Sequence, residues 1–201
     1  MDIARAYERA WQFTPPRTCR EIHAARLFEG RGKNVIDLPV RLAVFEVYGP
    51  KQIAQGDAWV AEDLIPGLVP IGGDSSGDRW CFDTRVRIGG TIPVLHCPHD
   101  GGGATYVAPS FAGFIYRCVV ENLLYGHTFA GRGIDLDGVR RLTRENLALV
   151  DRWLLRRWVH RATRVLDRKW PTHKTFDKWM REDRAFARMP TDELDHFRPP
   201  A

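Results

Sequence analysis

Three segments of the 201-residue chain carry residue types able to do chemistry. The first, His96-Cys97-Pro98-His99-Asp100, puts imidazoles, a thiol and a carboxylate together, the donor types of a zinc site or of general acid–base catalysis. Zinc takes four ligands, or three and a water, and no second cluster in the chain supplies the remainder. Pro98 in a strand-end turn accounts for the segment without a metal, so no metal is expected. The other histidines (His23, His127, His160, His173 and His196) are scattered singly.

The second segment, Gly72-Gly73-Asp74-Ser75-Ser76-Gly77-Asp78, has the glycines and small polar residues of a phosphate cradle. It holds no lysine, its aspartates would repel phosphate, and the next element reads as a strand instead of the helix that a P-loop requires. A polar hairpin turn is the expectation. In the third segment Arg152, Arg156, His160, Arg164 and Arg168 recur every four residues, with Arg157 and Arg161 alongside. Such a ridge suits an acidic protein surface or RNA. The simpler reading is a solvated helix face, partly neutralised by Glu145, Asp151 and Asp167.

No G-x-S-x-G elbow, H-E-x-x-H pair or S-x-x-K set is present. Ser75, Ser76 and Ser110 are accounted for by turn and cap positions, and Glu62-Asp63 precede Pro66 in an apparent loop. A chain with a full-sized core and no convergent titratable set reads as a recognition surface; neither an enzyme nor a cofactor is expected. Hydrophobic residues make up 44% of the chain and charged ones 27%, which excludes collagenous and wholly disordered classes. No apolar run approaches the roughly 20 residues of a membrane span, and the first ten residues lack the apolar segment of a secretory signal, so a cytoplasmic location is expected. Cys19, Cys81, Cys97 and Cys118 are far apart among apolar neighbours and read as buried free thiols.

Those residues must be positioned by a β-rich middle and a helical end. Thr14-Pro15-Pro16 reads as a cap and first turn for a helix over Arg17–Phe28, ended by Gly30 and Gly32. Val40–Tyr48, Gly67–Ile71, Arg79–Asp83 and Ile92–His96 read as strands, the third with Trp80 and Phe82 on one face and Cys81 and Asp83 on the other. Turns every ten or so residues favour antiparallel pairing. Ser110 caps a helix through Phe111, Phe114, Ile115, Cys118 and Asn122. After a linker at Gly131-Arg132-Gly133, one long helix is expected from about Thr143 to Trp170, stopped by Pro171. Its apolar stripe, Leu147, Val150, Leu154, Trp158, Ala162 and Val165, must be buried on the core or on a second copy of the chain, as in a homodimer. Charge divides the same way. Residues 1–125 hold 13 Lys/Arg against 14 Asp/Glu, residues 126–201 hold 17 against 11, and the whole is +5. The expected division is therefore an α+β domain over 1–125 and a basic helical extension over 126–201.

The ordered series Pro15-Pro16, Glu29-Gly30, Val40–Val47, Ile65-Pro66-Gly67, Gly72–Gly77, Trp80–Asp83, Pro93-Val94, His99-Asp100 and Ser110-Phe111-Ala112-Gly113-Phe114-Ile115 resembles the SUKH superfamily, in particular its Smi/Knr-type branch of immunity proteins and cell-wall regulators. The resemblance covers roughly residues 14–124, departs from the family pattern at Phe28-Glu29-Gly30 and Gly113, and leaves out the extension. It implies an α+β fold with a central, mostly antiparallel sheet flanked by helices. It also implies a module without catalytic residues that binds a protein partner, often a cognate toxin. The candidate partner-binding surface is the Asp74–Asp83 hairpin with the His99–Gly103 loop: Asp74, Ser75, Asp78, Trp80, Asp83, His99 and Asp100. For Trp80 the alternative is a core position. The competing surface is the basic face of Arg152, Arg156, Arg164 and Arg168, facing an acidic partner or RNA.

Overall fold

The computed structural model describes residues 2–28, 42, 45–55, 65–100, 103–125, 133–167 and 172–191. Its centre is a five-stranded antiparallel meander in which β1 (Glu46–Val47), β2 (Leu68–Gly73), β3 (Arg79–Asp83), β4 (Val94–Cys97) and β5 (Thr105–Ala108) lie side by side in chain order. Among the described residues seven α-helices surround it: α1 (Ile3–Trp11), α2 (Arg17–Ala24), α3 (Pro50–Gln55), α4 (Phe111–Glu121), α5 (Leu136–Val150), α6 (Arg156–Leu166) and α7 (His173–Glu182). The fold is α+β, with an antiparallel sheet and helices at the C-terminal end.

Alternation along the strands sorts side chains onto two faces. Val69, Ile71, Phe82, Val94 and Val107 point into the main core, where α4 presents Phe111, Phe114 and Ile115. Leu68, Cys81, Leu95, Cys97 and Ala104 occupy the opposite face with Trp11 and Tyr106. All four cysteines are buried free thiols. Ser110 caps α4 by accepting from the Gly113 amide, as the sequence indicated. In β2 the register shifts between Pro70 and Gly72, a bulge that accommodates the missing proline donor. Gly72 is required by packing: a side chain there would collide with the Glu46 carbonyl oxygen and the Phe45 ring, so β1 could not close on β2.

Several boundaries differ from the sequence reading. Thr14 does not cap α2; Pro16 stands at its start without a side-chain cap. The helix stops at Ala24, and Gly30 and Gly32 lie outside the described residues. Of Val40–Tyr48 only Glu46–Val47 pair among the described residues, and β4 begins two positions late, at Val94. Strand β5 and helices α1, α3 and α7 were not anticipated.

The largest correction concerns the single helix from Thr143 to Trp170. The chain is α-helical only to Val150, takes a 3-10 turn over Asp151–Trp153, passes through extended backbone at Leu154 and Leu155, and resumes as α6. Neither proline nor glycine marks the break, so packing produces it. The bend lets both helices turn an apolar side inward: Leu147, Val150, Leu154, Trp158 and Ala162 are buried in the same core as the sheet. Leu166 takes the buried place expected of Val165, which is half-buried. Most of the stripe is thus covered by the chain's own core.

Candidate functional site

The turn joining β2 to β3 is built around one carboxylate. Asp74 Oδ1 accepts the backbone amides of Ser76 (2.9 Å) and Asp78 (3.0 Å), and Gly77 supplies the left-handed residue (φ +99°) that closes the loop. Two polar hydrogen bonds and a glycine make this a hairpin turn, as its composition indicated. Ser75 and Ser76 stand exposed at its tip.

Asp78, the last residue of the turn, reaches across to the β4–β5 connection. Its Oδ2 lies 3.0 Å from His96 Nε2. Its Oδ1 lies 2.7 Å from His99 Nδ1 and accepts the His99 backbone amide at 3.0 Å. Partial burial on its own would raise the Asp78 pKa, but the hydrogen bonds from the His99 ring and backbone, and from His96, hold it below the usual carboxylate range. His99 is pushed up, first by its hydrogen bond to Asp78 and then by the charges of Asp78, Asp100 and Asp74. The two histidines thus meet on one acid and brace two loops. Among the described residues no group of three His, Cys, Asp or Glu side chains is arranged to hold a metal ion.

Beside this brace lies a depression of about 320 Å³. Trp80 forms one wall, its ring 4.9 Å from Phe45 and 4.8 Å from His96. Asp74 and Asp78 are on the rim, and the Arg117–Glu121 ion pair of α4 (2.7 Å) borders the other side. Both partners of that pair are about three-quarters buried. Their i,i+4 spacing was the signal by which the sequence could have revealed them. Trp80 is half-buried: it packs on the core and lines the depression at the same time.

Of the seven residues expected to form one surface, the structure brings Asp74, Ser75, Asp78, Trp80, His99 and Asp100 to one end of the sheet. Asp83 does not join them. It sits at the far end of β3, fully buried, where Arg85 grips its carboxylate through Nε (2.8 Å) and Nη2 (3.0 Å) and the Tyr106 hydroxyl donates to it at 2.9 Å. Burial works to raise the Asp83 pKa, and those hydrogen bonds lower it further than burial lifts it. Tyr106 is pushed up to about 12, by burial first and by Asp83 second. Alternation explains the error: Asp83 follows Cys81 onto the inner side of the sheet's second face, not the rim.

The basic ridge is also reshaped. The break at Leu154–Leu155 separates Arg152 from Arg156, His160 and Arg164, all exposed, and Arg168 lies outside the described residues. Arg152 lies over the Trp153 ring at 3.9 Å. Arg157 and Arg161 pair with Asp183 and Glu182.

A model of the SMI1 / KNR4 family (SUKH-1) matches residues 8–117. The chain belongs to this family. The matched span runs from the middle of α1 to the middle of α4 and contains the braced hairpin, both histidines and Asp83, while α5, α6 and α7 lie beyond it. Comparison with curated proteins and with solved structures gives no match. Among the described residues no helix of this SUKH protein is long and apolar enough to cross a membrane.

Proposed function

We propose that this SUKH family member is a non-catalytic protein-binding module of the immunity type, which neutralises a cognate toxin by direct contact. The observation that carries the reading is the use made of Asp78. The most chemically able cluster of the chain, one carboxylate between two imidazoles, is committed to tying the β2–β3 turn to the β4–β5 connection. Both oxygens of the Asp78 carboxylate are bonded, one to His96 and the other to the His99 ring and amide, and the two segments they join form a preformed surface. Preformed loops on a rigid sheet bind with little ordering cost.

The contact surface consists of Asp74, Ser75, Asp78, His99 and Asp100 around the depression walled by Trp80. Aspartates on its rim beside the Trp80 and Phe45 rings suit a cationic side chain of the partner. The cytosol is where such a protein meets its toxin before harm is done.

Co-expression with a toxin encoded beside its gene tests the reading. The expected result is restored growth and a complex that survives gel filtration. Ser75→Arg and His99→Glu, both at exposed positions, are expected to abolish both without unfolding the protein. A toxin that is neither bound nor neutralised overturns the function, and a complex indifferent to both substitutions overturns the surface.

A further inference from the structure

We propose a second binding surface, at the opposite end of β3 and β4 from Asp78, that takes an acidic polypeptide segment anchored by one large apolar side chain. The anchor site is a groove of about 570 Å³ between the tip of the β3–β4 hairpin and the turn that separates α5 from α6. Ile88, Ile92, Phe111, Trp153 and Leu155 line it. Its volume suits one or two side chains, in the range of ordinary ligand pockets. Leu155 is 43% exposed, and the chain break that re-aims α6 is what puts it there.

The walls are fixed independently of any occupant. The single Thr91 hydroxyl hydrogen is shared between the carbonyls of Ile88 (2.8 Å) and Pro109 (2.6 Å), which ties the hairpin tip to the start of α4. Trp153 Nε1 donates to Glu21 at 3.0 Å, tying the α5–α6 turn to α2. A groove held in this way binds without first being ordered.

The chemistry of the occupant follows from what adjoins the groove. It shares Arg188 and Ala185 with a second hollow of about 680 Å³ that five arginines line. Arg157 and Arg161 are held by Asp183 and Glu182. Arg164, Arg184 and Arg188 make no ion pair or side-chain hydrogen bond among the described residues, so three guanidinium forks are available beside an apolar hole. Arginine forks match carboxylates two bonds at a time. Charge complementarity therefore calls for carboxylates within a few residues of an aliphatic or aromatic side chain. A nucleic acid fits less well, because it has no apolar side chain for the groove.

Selection of the full-length protein against displayed random dodecapeptides reads this surface directly. Enrichment of sequences with two or more carboxylates within three residues of a large apolar side chain is expected. Binding of an enriched synthetic peptide is expected to weaken about tenfold or more in Arg184→Glu/Arg188→Glu and in Leu155→Asp, all exposed positions, while Ser75→Arg, on the other surface, leaves it unchanged. Enrichment without acidic bias, or peptides that bind the arginine variants equally well, overturns the proposal. So does tighter binding of a single-stranded poly(U) 20-mer that the same substitutions abolish, since that outcome assigns the surface to nucleic acid.

Discussion

The two ends of β3 and β4 use charge in opposite ways. At the Asp78 end, acids and histidines satisfy one another: Asp74 holds its own turn, and Asp78 holds His96 and His99. At the hairpin end, Asp83 neutralises Arg85 within the fold, while Arg164 of α6 and Arg184 and Arg188 beyond α7 make no ion pair among the described residues. Roughly 3.3 Å per residue over these short strands sets the two ends under about 20 Å apart. A small sheet can thus carry one surface whose shape is fixed by internal pairing and another whose charge is left for a partner.

If the C-terminal helices are as integral as the arginine surface requires, the largest effect will come from the residue that joins them to α4. Trp158 is 2% exposed, stacks on Tyr116 at 5.2 Å and donates its indole N–H to Asp183 at 2.9 Å. Trp158→Ala is expected to cost about 3–5 kcal/mol, with one cooperative unfolding transition in urea. Two separated transitions, with the first alone shifted, would show instead that α5–α7 fold as a unit of their own.

Next in size is Asp83, which distinguishes a structural acid from the candidate contact acids. Asp83→Ala leaves the Tyr106 hydroxyl and the Arg85 guanidinium without their partner. Because Arg85 is 37% exposed and can turn to water, the expected loss is about 2–3 kcal/mol, less than for a fully enclosed pair. Binding of the proposed partner by the folded fraction is expected to be unchanged. Chemical denaturation with a binding titration on the same sample checks both halves.

What the sequence revealed of this arrangement depended on whether the information was local. The β2–β3 turn, the Ser110 cap and the alternation of β3 are written in adjacent residues, and each was legible. Strand β5 was missed because Thr105-Tyr106-Val107-Ala108 is short and follows a glycine run that reads as loop. The break at Leu154–Leu155 was illegible for a stronger reason: Asp151-Arg152-Trp153-Leu154-Leu155-Arg156 contains no helix breaker, and only the shape of the core it meets dictates the bend. The candidate contact residues were found through their turn. Their misassigned member, Asp83, was separated from them by strand length, which places one end of β3 on the rim and the other under cover. The surplus arginines were visible as a count, but which of them are spent on Glu182 and Asp183 is a fact of tertiary structure.

A smaller effect distinguishes bracing from binding at the first end. Asp78→Ala removes three hydrogen bonds from a partly exposed carboxylate and is expected to cost about 1–2 kcal/mol. The pH dependence gives the contribution its sign. Asp78 titrates below its ordinary value in the fold, so its stabilisation is present above pH about 4 and is lost as pH falls through the lowered pKa. His99 titrates above its ordinary value, so its stabilisation is complete below pH about 6.5 and fades as pH rises through the raised pKa. The pair is therefore strongest between those limits. Melting temperature in the wild type is expected to fall from pH 5.5 to 8.5 more than in His99→Ala. Equal slopes in the two proteins would mean that the contact between His99 and Asp78 contributes nothing as an ion pair.

The smallest effect is the most discriminating for the second end. Arg164 is exposed on α6 and makes no ion pair or side-chain hydrogen bond among the described residues, so Arg164→Ala is expected to shift stability by no more than about 0.5 kcal/mol. Arg161, one turn earlier, bonds Glu182 at 3.2 Å and lies over Trp179 at 5.5 Å, and its removal should register in the melt. If both alanine variants melt alike, the distinction between arginines spent on the fold and arginines left for a partner loses its energetic basis. If only Arg161→Ala melts early, while Arg164→Ala weakens capture of the acidic peptide, the two arginines have been separated by role.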